Sequence, residues 1–195
     1  MIQMKKFLVL MLGSMLTANL LIAENNKLVE ELSLKVGVAK TDVKLRNNIA
    51  GVSLPSKRAT IINLEVFTKC DYIKSYGLNP FIDVNTIINT DRNIYSLGIG
   101  VKKDIETDLV YKPYVSASAG YALLDWKTSP LINATQKDET TRSIVGTLQT
   151  GIRYKNFDIA IRYDRYNFDT KLTSGLVTSM LNDKYSLSLL VGVLF

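Results

Sequence analysis

Hydrophobic and polar positions alternate along most of this chain, and the alternation is cleanest in residues 184–195. Tyr185, Leu187, Leu189, Val191, Val193 and Phe195 take every second place, while Lys184, Ser186, Ser188 and Gly192 stand between them with Leu190 and Leu194. A period of two puts successive side chains on opposite faces of a β-strand. From Tyr185 onward, at roughly 3.3 Å per residue and a tilt of about 40°, this strand is about 28 Å tall. That is close to the roughly 25 Å apolar band of a barrel that crosses an outer membrane.

The rhythm recurs seven more times. In residues 31–39, Leu32, Leu34, Val36 and Val38 oppose Ser33, Lys35, Gly37 and Ala39. In 60–68, Ile62, Leu64 and Val66 oppose Asn63 and Glu65, and the apolar face is expected to run on to Cys70 and Tyr72. In 81–88, Ile82, Val84 and Ile88 oppose Asp83 and Asn85. In 95–102, Tyr95, Leu97, Ile99 and Val101 oppose Ser96, Gly98, Gly100 and Lys102. In 115–123, Val115, Ala117, Ala119, Tyr121 and Leu123 oppose Ser116, Ser118 and Gly120. In 144–154, Ile144, Leu148, Ile152 and Tyr154 oppose Thr147, Gln149, Gly151 and Arg153. In 157–164, Phe157, Ile159, Ile161 and Tyr163 oppose Asp158, Ala160, Arg162 and Asp164.

The joints alternate as well. Lys155 and Asn156 suit a two-residue hairpin, with Asn expected to supply the positive φ that such turns need. Residues 74–77, 89–93 and 104–108 are compact. Residues 41–57, 124–141 and 168–183 are expected to be long polar joints and contain Pro55, Pro130 and Gly175. They follow strands one, five and seven, so all three emerge at one end.

Alternation alone fits a soluble sandwich as well as a barrel, so the character of the second face decides. The outward face of a sandwich would be charged and hydrophilic. Here it carries Gly, Ser, Ala, Asn and Thr with isolated charges, which suits the crowded interior of a small barrel and leaves the apolar face for lipid. A closed barrel also satisfies every backbone group without leaving an edge, as a bilayer requires. Tyr72, Tyr95, Tyr111, Tyr121, Tyr154, Phe157, Tyr163, Tyr185 and Phe195 fall near strand ends, where interfacial girdles form.

Residues 1–23 read as a cleavable signal peptide: Lys5 and Lys6 precede an apolar run that ends at Ala23, before the polar Glu24. Beyond it no apolar run is long enough for a spanning helix. The predicted fold class is therefore all-β, an eight-stranded antiparallel up-and-down transmembrane β-barrel over residues 24–195.

With these features the chain resembles the small eight-stranded bacterial outer-membrane barrels of the OmpA-transmembrane, OmpX and opacity-protein type. The resemblance implies an outer-membrane location with both termini periplasmic, and outer-membrane lipid as the surrounding partner. It implies delivery by periplasmic chaperones and insertion by the barrel-assembly machinery. Tyr185, Leu187, Leu189, Val191, Val193 and Phe195 would then form the assembly signal. A monomer is expected.

Composition narrows the function. A formal charge of +6 over 195 residues is small and dispersed, so nucleic acid is not an expected partner. Cys70 is the single cysteine, which excludes an intrachain disulfide, and nothing near it in sequence would activate the thiol. Histidine is absent, so Ser-His triads, Asp-His dyads and His metal sites are unavailable. No enzyme and no cofactor are expected. Asn133, Ala134 and Thr135 match a glycosylation acceptor, which has little meaning in a bacterial barrel.

What remains is the lumen. A tight turn after Tyr154 would set Arg153 against Asp158. Neighbouring strands would bring Lys35 to Glu65 and Asp83 to Lys102, and Arg162 and Asp164 add two more charges. Confined charges favour pairing. The expectation is a plugged lumen and a structural or surface-interaction role carried by the joints; a narrow pore for small or apolar solutes is the alternative.

Overall fold

The computed structural model describes residues 29–47, 51–53, 57–90, 92–126, 141–174 and 177–195. Residues 1–23, Pro55, Pro130, residues 133–135 and Gly175 lie outside them. The elements are β1 (Val29–Asn47), β2 (Gly51–Ser53), β3 (Lys57–Thr68), α1 (Asp71–Lys74), β4 (Asn79–Ile88), β5 (Arg92–Asp104), β6 (Lys112–Trp126), β7 (Thr141–Tyr154), β8 (Phe157–Ser174) and β9 (Val177–Leu194). Each long strand pairs antiparallel with the next, and β9 pairs back with β1. The eight long strands thus close a barrel. β2 is a short addition that meets β1 beyond the wall, at Lys44 to Arg46.

Closure pairs both edges of every long strand over the height that all eight share, which is the property that lets a sheet sit in hydrocarbon. At the seam, Leu32 and Phe195 exchange backbone bonds of 3.2 and 2.9 Å. The alternating faces fall as the sequence requires. Val36, Leu97, Ile99, Leu148 and Ile161 point outward and are more than half exposed, while Lys35, Glu65, Lys102, Arg162 and Ser186 point inward and are buried. The exposed apolar residues therefore form a band around the barrel, and the polar residues line its inside.

Three local expectations are corrected. The apolar face of β3 does not run on to Tyr72: the strand ends at Thr68, and Tyr72 lies on the single helical turn α1. The positive φ of the two-residue turn falls on Lys155, at 52°, rather than on Asn156. This places the left-handed residue first, as in turns whose twist matches the flanking strands. The register is the expected one, Tyr154 opposite Phe157 and Arg153 opposite Asp158.

The third correction concerns length. Much of 41–57 and 168–183 is strand rather than loop: β1 pairs with β9 as far as Asn47 and Ser179, and β8 pairs with β9 as far as Ser174 and Val177. β7, by contrast, stops pairing with β8 at Gly146 and Arg165. Three strands (β1, β8 and β9) therefore rise beyond the rest of the wall as a tongue. Alternation of apolar residues does not mark this region, because beyond the apolar band neither face needs to be apolar.

Candidate functional site

The candidate site is the lumen. We call the barrel end that holds Phe195 the terminal end and the other the loop end. Inward parity brings side chains from every long strand toward the axis, and two linked clusters of charge result.

The lower cluster is centred on Glu65 of β3. Its carboxylate lies 2.7 Å from Lys35 Nζ and 2.6 Å from Lys102 Nζ, and accepts a bond from Gln149 Nε2 at 2.9 Å. The Lys102 ammonium also sits 4.3 Å from the Tyr114 ring centroid and 4.4 Å from that of Phe67. An aromatic face attracts a cation electrostatically, so these rings stand in for part of the lost water. Tyr114 donates its hydroxyl to Asp158 at 2.7 Å, and Lys35 Nζ lies 3.4 Å from the same carboxylate.

Two glycines make this cluster possible. A Cβ at Gly151 would come within 2.6 Å of the Tyr114 ring, and one at Gly192 within 2.5 Å of Lys35 Cγ. The wall is bare where these side chains press against it.

The middle cluster is built on Arg162 of β8. Its guanidinium makes two parallel bonds of 2.9 Å to Asp83, and Nε donates to Asp164 at 2.8 Å. Fork-to-fork pairing of this kind fixes geometry as well as charge. Asp83 also accepts from Asn63 and Ser118, both at 2.8 Å. Asp164 accepts from Thr147 at 2.8 Å and Ser186 at 3.0 Å.

Above these clusters, toward the loop end, the lumen turns apolar. Ile61, Ile87, Ile94, Leu124, Val145 and Phe168 belong to one buried cluster. Tyr166 stacks on Phe168 with centroids 5.2 Å apart. The inside of the barrel is therefore charged in its lower and middle parts and more apolar toward the loop end, where the buried Arg92 donates to Thr41 at 3.0 Å.

The sequence-derived pairs fare differently. Lys35 meets Glu65. Arg162 and Asp164, which the sequence left without assigned partners, lie 2.8 Å apart. Arg153 faces Asp158 in register but stays 3.9 Å from it and lies nearer Glu31, at 3.2 Å. Asp83 and Lys102 do not meet. Asp83 is opposite Gly98, whereas Lys102 is opposite Asn79, so Lys102 lies lower and turns to Glu65. Asp83 instead takes Arg162 from across the lumen. Sequence reading missed Tyr114, Gln149 and Glu31, although Tyr114 shares the inward parity of Ser116 and Ser118. Cys70 follows β3 and is partly exposed. Among the described residues no group of carboxylates or thiols is arranged to hold a metal ion.

A closed antiparallel barrel of eight long strands, apolar outside and polar within, is the architecture of the small outer-membrane β-barrels. No protein-family model and no curated protein sequence matches this chain. Among solved structures, the chain is similar to Neisserial surface protein A, with a TM-score of 0.54 and 17% identity over 85% of this chain and 97% of that one. OprG of Pseudomonas aeruginosa gives 0.49 and 11% identity over 87% and 97%. Ail of Yersinia pestis, solved with the heparin analogue sucrose octasulfate, gives 0.45 and 14% identity over 87% and 99%. The likeness to the Neisserial protein establishes the fold.

Proposed function

We propose that this protein is an integral barrel of a bacterial outer membrane with a structural and surface-interaction role. In this reading it is neither an enzyme nor an open pore. The observation that carries the reading is the side-chain-filled lumen: paired charges and, toward the loop end, a cluster of buried apolar residues occupy the inside of the described wall. An eight-stranded barrel is just wide enough for side chains to fill it, and this one uses large ones, with Arg162, Tyr114, Lys35 and Lys102 all fully buried. The absence of histidine from the sequence supports a non-catalytic role. The apolar outer band supports insertion as a monomer surrounded by lipid. Both chain ends would face the periplasm and the tongue would face outward.

Planar-bilayer recording tests the reading. The wild-type barrel should pass little or no steady current, and replacing Arg153 and Arg162 with Ala should raise it. A large, steady wild-type current that those substitutions leave unchanged would establish the pore instead. Fractionation checks the location: the protein should travel with outer membranes, and recovery in the cytosol would end the proposal.

A further inference from the structure

The tongue has two long edges, and the chain covers only one of them. On the β1 side, β3 pairs as far as Thr41 and Lys57, and β2 then lies against Lys44 to Arg46. On the β8 side, β7 leaves at Gly146 and Arg165, and the Asn167 backbone N–H donates to Ser143 Oγ at 2.7 Å just beyond. From Phe168 to Ser174, β8 pairs with β9, and among the described residues no strand pairs with its other edge. An ordered edge with no neighbour is a template for a further strand.

The residue order along this edge selects the strand that fits it. Phe168, Asp169, Thr170, Lys171 and Leu172 complement themselves when read backwards. An antiparallel copy centred on Thr170 sets Asp169 opposite Lys171 twice, Phe168 opposite Leu172 twice, and Thr170 opposite its equivalent. Opposite charges and Thr pairs directly across a ladder are favourable, and like charges are not. A register centred on Lys171 would set two lysines against each other instead. Inside the tongue, Asp169 stands opposite Asn182 and Lys171 opposite Met180, so neither has a charged residue directly across from it on β9. The same rows continue to Lys44 and Arg46 on β1. Cations therefore outnumber anions along these rows, and the Asp169 of a second copy offsets that excess.

We propose that two copies of this chain join through β8, antiparallel across a two-fold axis at Thr170, and so bridge two membranes. β8 climbs from Phe157 at the terminal end to Ser174 at the loop end. An antiparallel partner therefore has its loop end turned toward the first copy. Two barrels in one membrane point the same way and cannot meet in this sense, whereas two in facing membranes can. The joined tongues form one sheet in the order β1, β9, β8 and then the partner's β8, β9, β1. The contact is self-complementary, so one surface on a single kind of chain is enough to close it. It rests on the reading of the loop end as outward, and it gives the surface-interaction role a partner: the same protein on another membrane.

Clustering of barrel-carrying phosphatidylcholine vesicles, read by fluorescence cross-correlation between two dyed populations, tests it. Wild type should cluster with wild type and not with protein-free vesicles. Asp169→Lys alone and Lys171→Asp alone should each lower clustering roughly tenfold, because like charges then oppose each other twice. Mixing one population carrying Asp169→Lys with another carrying Lys171→Asp should restore it, since every pair across the axis is again opposite in sign. Both substitutions in one chain should restore it as well. Mobility on an unheated gel shows that each variant is folded. Absent wild-type clustering, clustering with protein-free vesicles, single variants that behave as wild type, or a mixed pair that stays dispersed would each overturn the proposal. If the protein fractionates with outer membranes yet fails these tests, only the pairing fails. If it never enters outer membranes, the underlying reading fails first.

Discussion

Replacing Arg162 with Ala should destabilise the barrel by about 3–5 kcal/mol, because it leaves buried carboxylates without their counter-charge. The guanidinium is almost fully buried and serves two partners at once, Asp83 through two 2.9 Å bonds and Asp164 through one of 2.8 Å. Neither aspartate can turn to water, since Asp83 is 4% and Asp164 0% exposed. Their remaining donors, Asn63 and Ser118 for one and Thr147 and Ser186 for the other, are neutral and soften the penalty without cancelling it. The effect should be read as the urea midpoint of barrels in lipid vesicles, using the mobility difference between folded and unfolded protein on an unheated gel. A compensated variant carrying Arg162→Met, Asp83→Asn and Asp164→Asn removes the stranded charges and should recover at least half of the loss. A single-variant loss below about 1 kcal/mol, or a compensated variant as weak as Arg162→Ala, would refute the charge argument.

Leu148→Arg, on the lipid face near the middle of β7, should cost about 2–4 kcal/mol in the same assay while Lys112→Arg costs almost nothing, and equal costs would mean the faces are misassigned. Ser188→Arg should fare no better than Leu148→Arg, because Ser188 is buried against a filled lumen and an added side chain has no space; a folded, stable Ser188→Arg barrel would contradict the packing. Tyr114→Phe should cost about 1–3 kcal/mol, since Asp158 loses a buried donor, and an unchanged midpoint would count against that bond. Removing Phe195 takes away the backbone bonds to Leu32 at the seam. Pulse-labelled chain should then stay protease-sensitive for longer, and normal assembly kinetics would exclude the 185–195 strand as an assembly signal.

The wall of this barrel was legible because the surroundings enforce it. Lipid tolerates only apolar side chains over the height of the band, so Leu97, Ile99, Leu148 and Ile161 announce their face by spacing alone. The parity of Lys35, Glu65, Arg153 and Arg162 likewise placed them inside. Their partners were harder to read, because parity gives the face but not which side chains meet across the axis. Asp83 on β4 finds Arg162 on β8, on the far side of the closed sheet, and reasoning from adjacent strands cannot see that pair. The apolar cluster toward the loop end escaped for a different reason. Ile61, Ile94 and Phe168 lie inside, where an apolar residue breaks the expected polar pattern. Nothing in their own spacing distinguishes a lumen cluster from an irregular strand.

The tongue of β1, β8 and β9 changes what an encounter at this surface would involve. Fixing a free backbone costs roughly 1–2 kcal/mol per residue in entropy, a penalty that a floppy loop incurs when a partner holds it still. Along Phe168 to Ser174 the backbone is already held in register with β9 from Asp183 to Val177. A partner docking on the ribbon would meet a surface ordered before contact, so calorimetry should report a small entropic penalty and a correspondingly small heat-capacity change for the area covered.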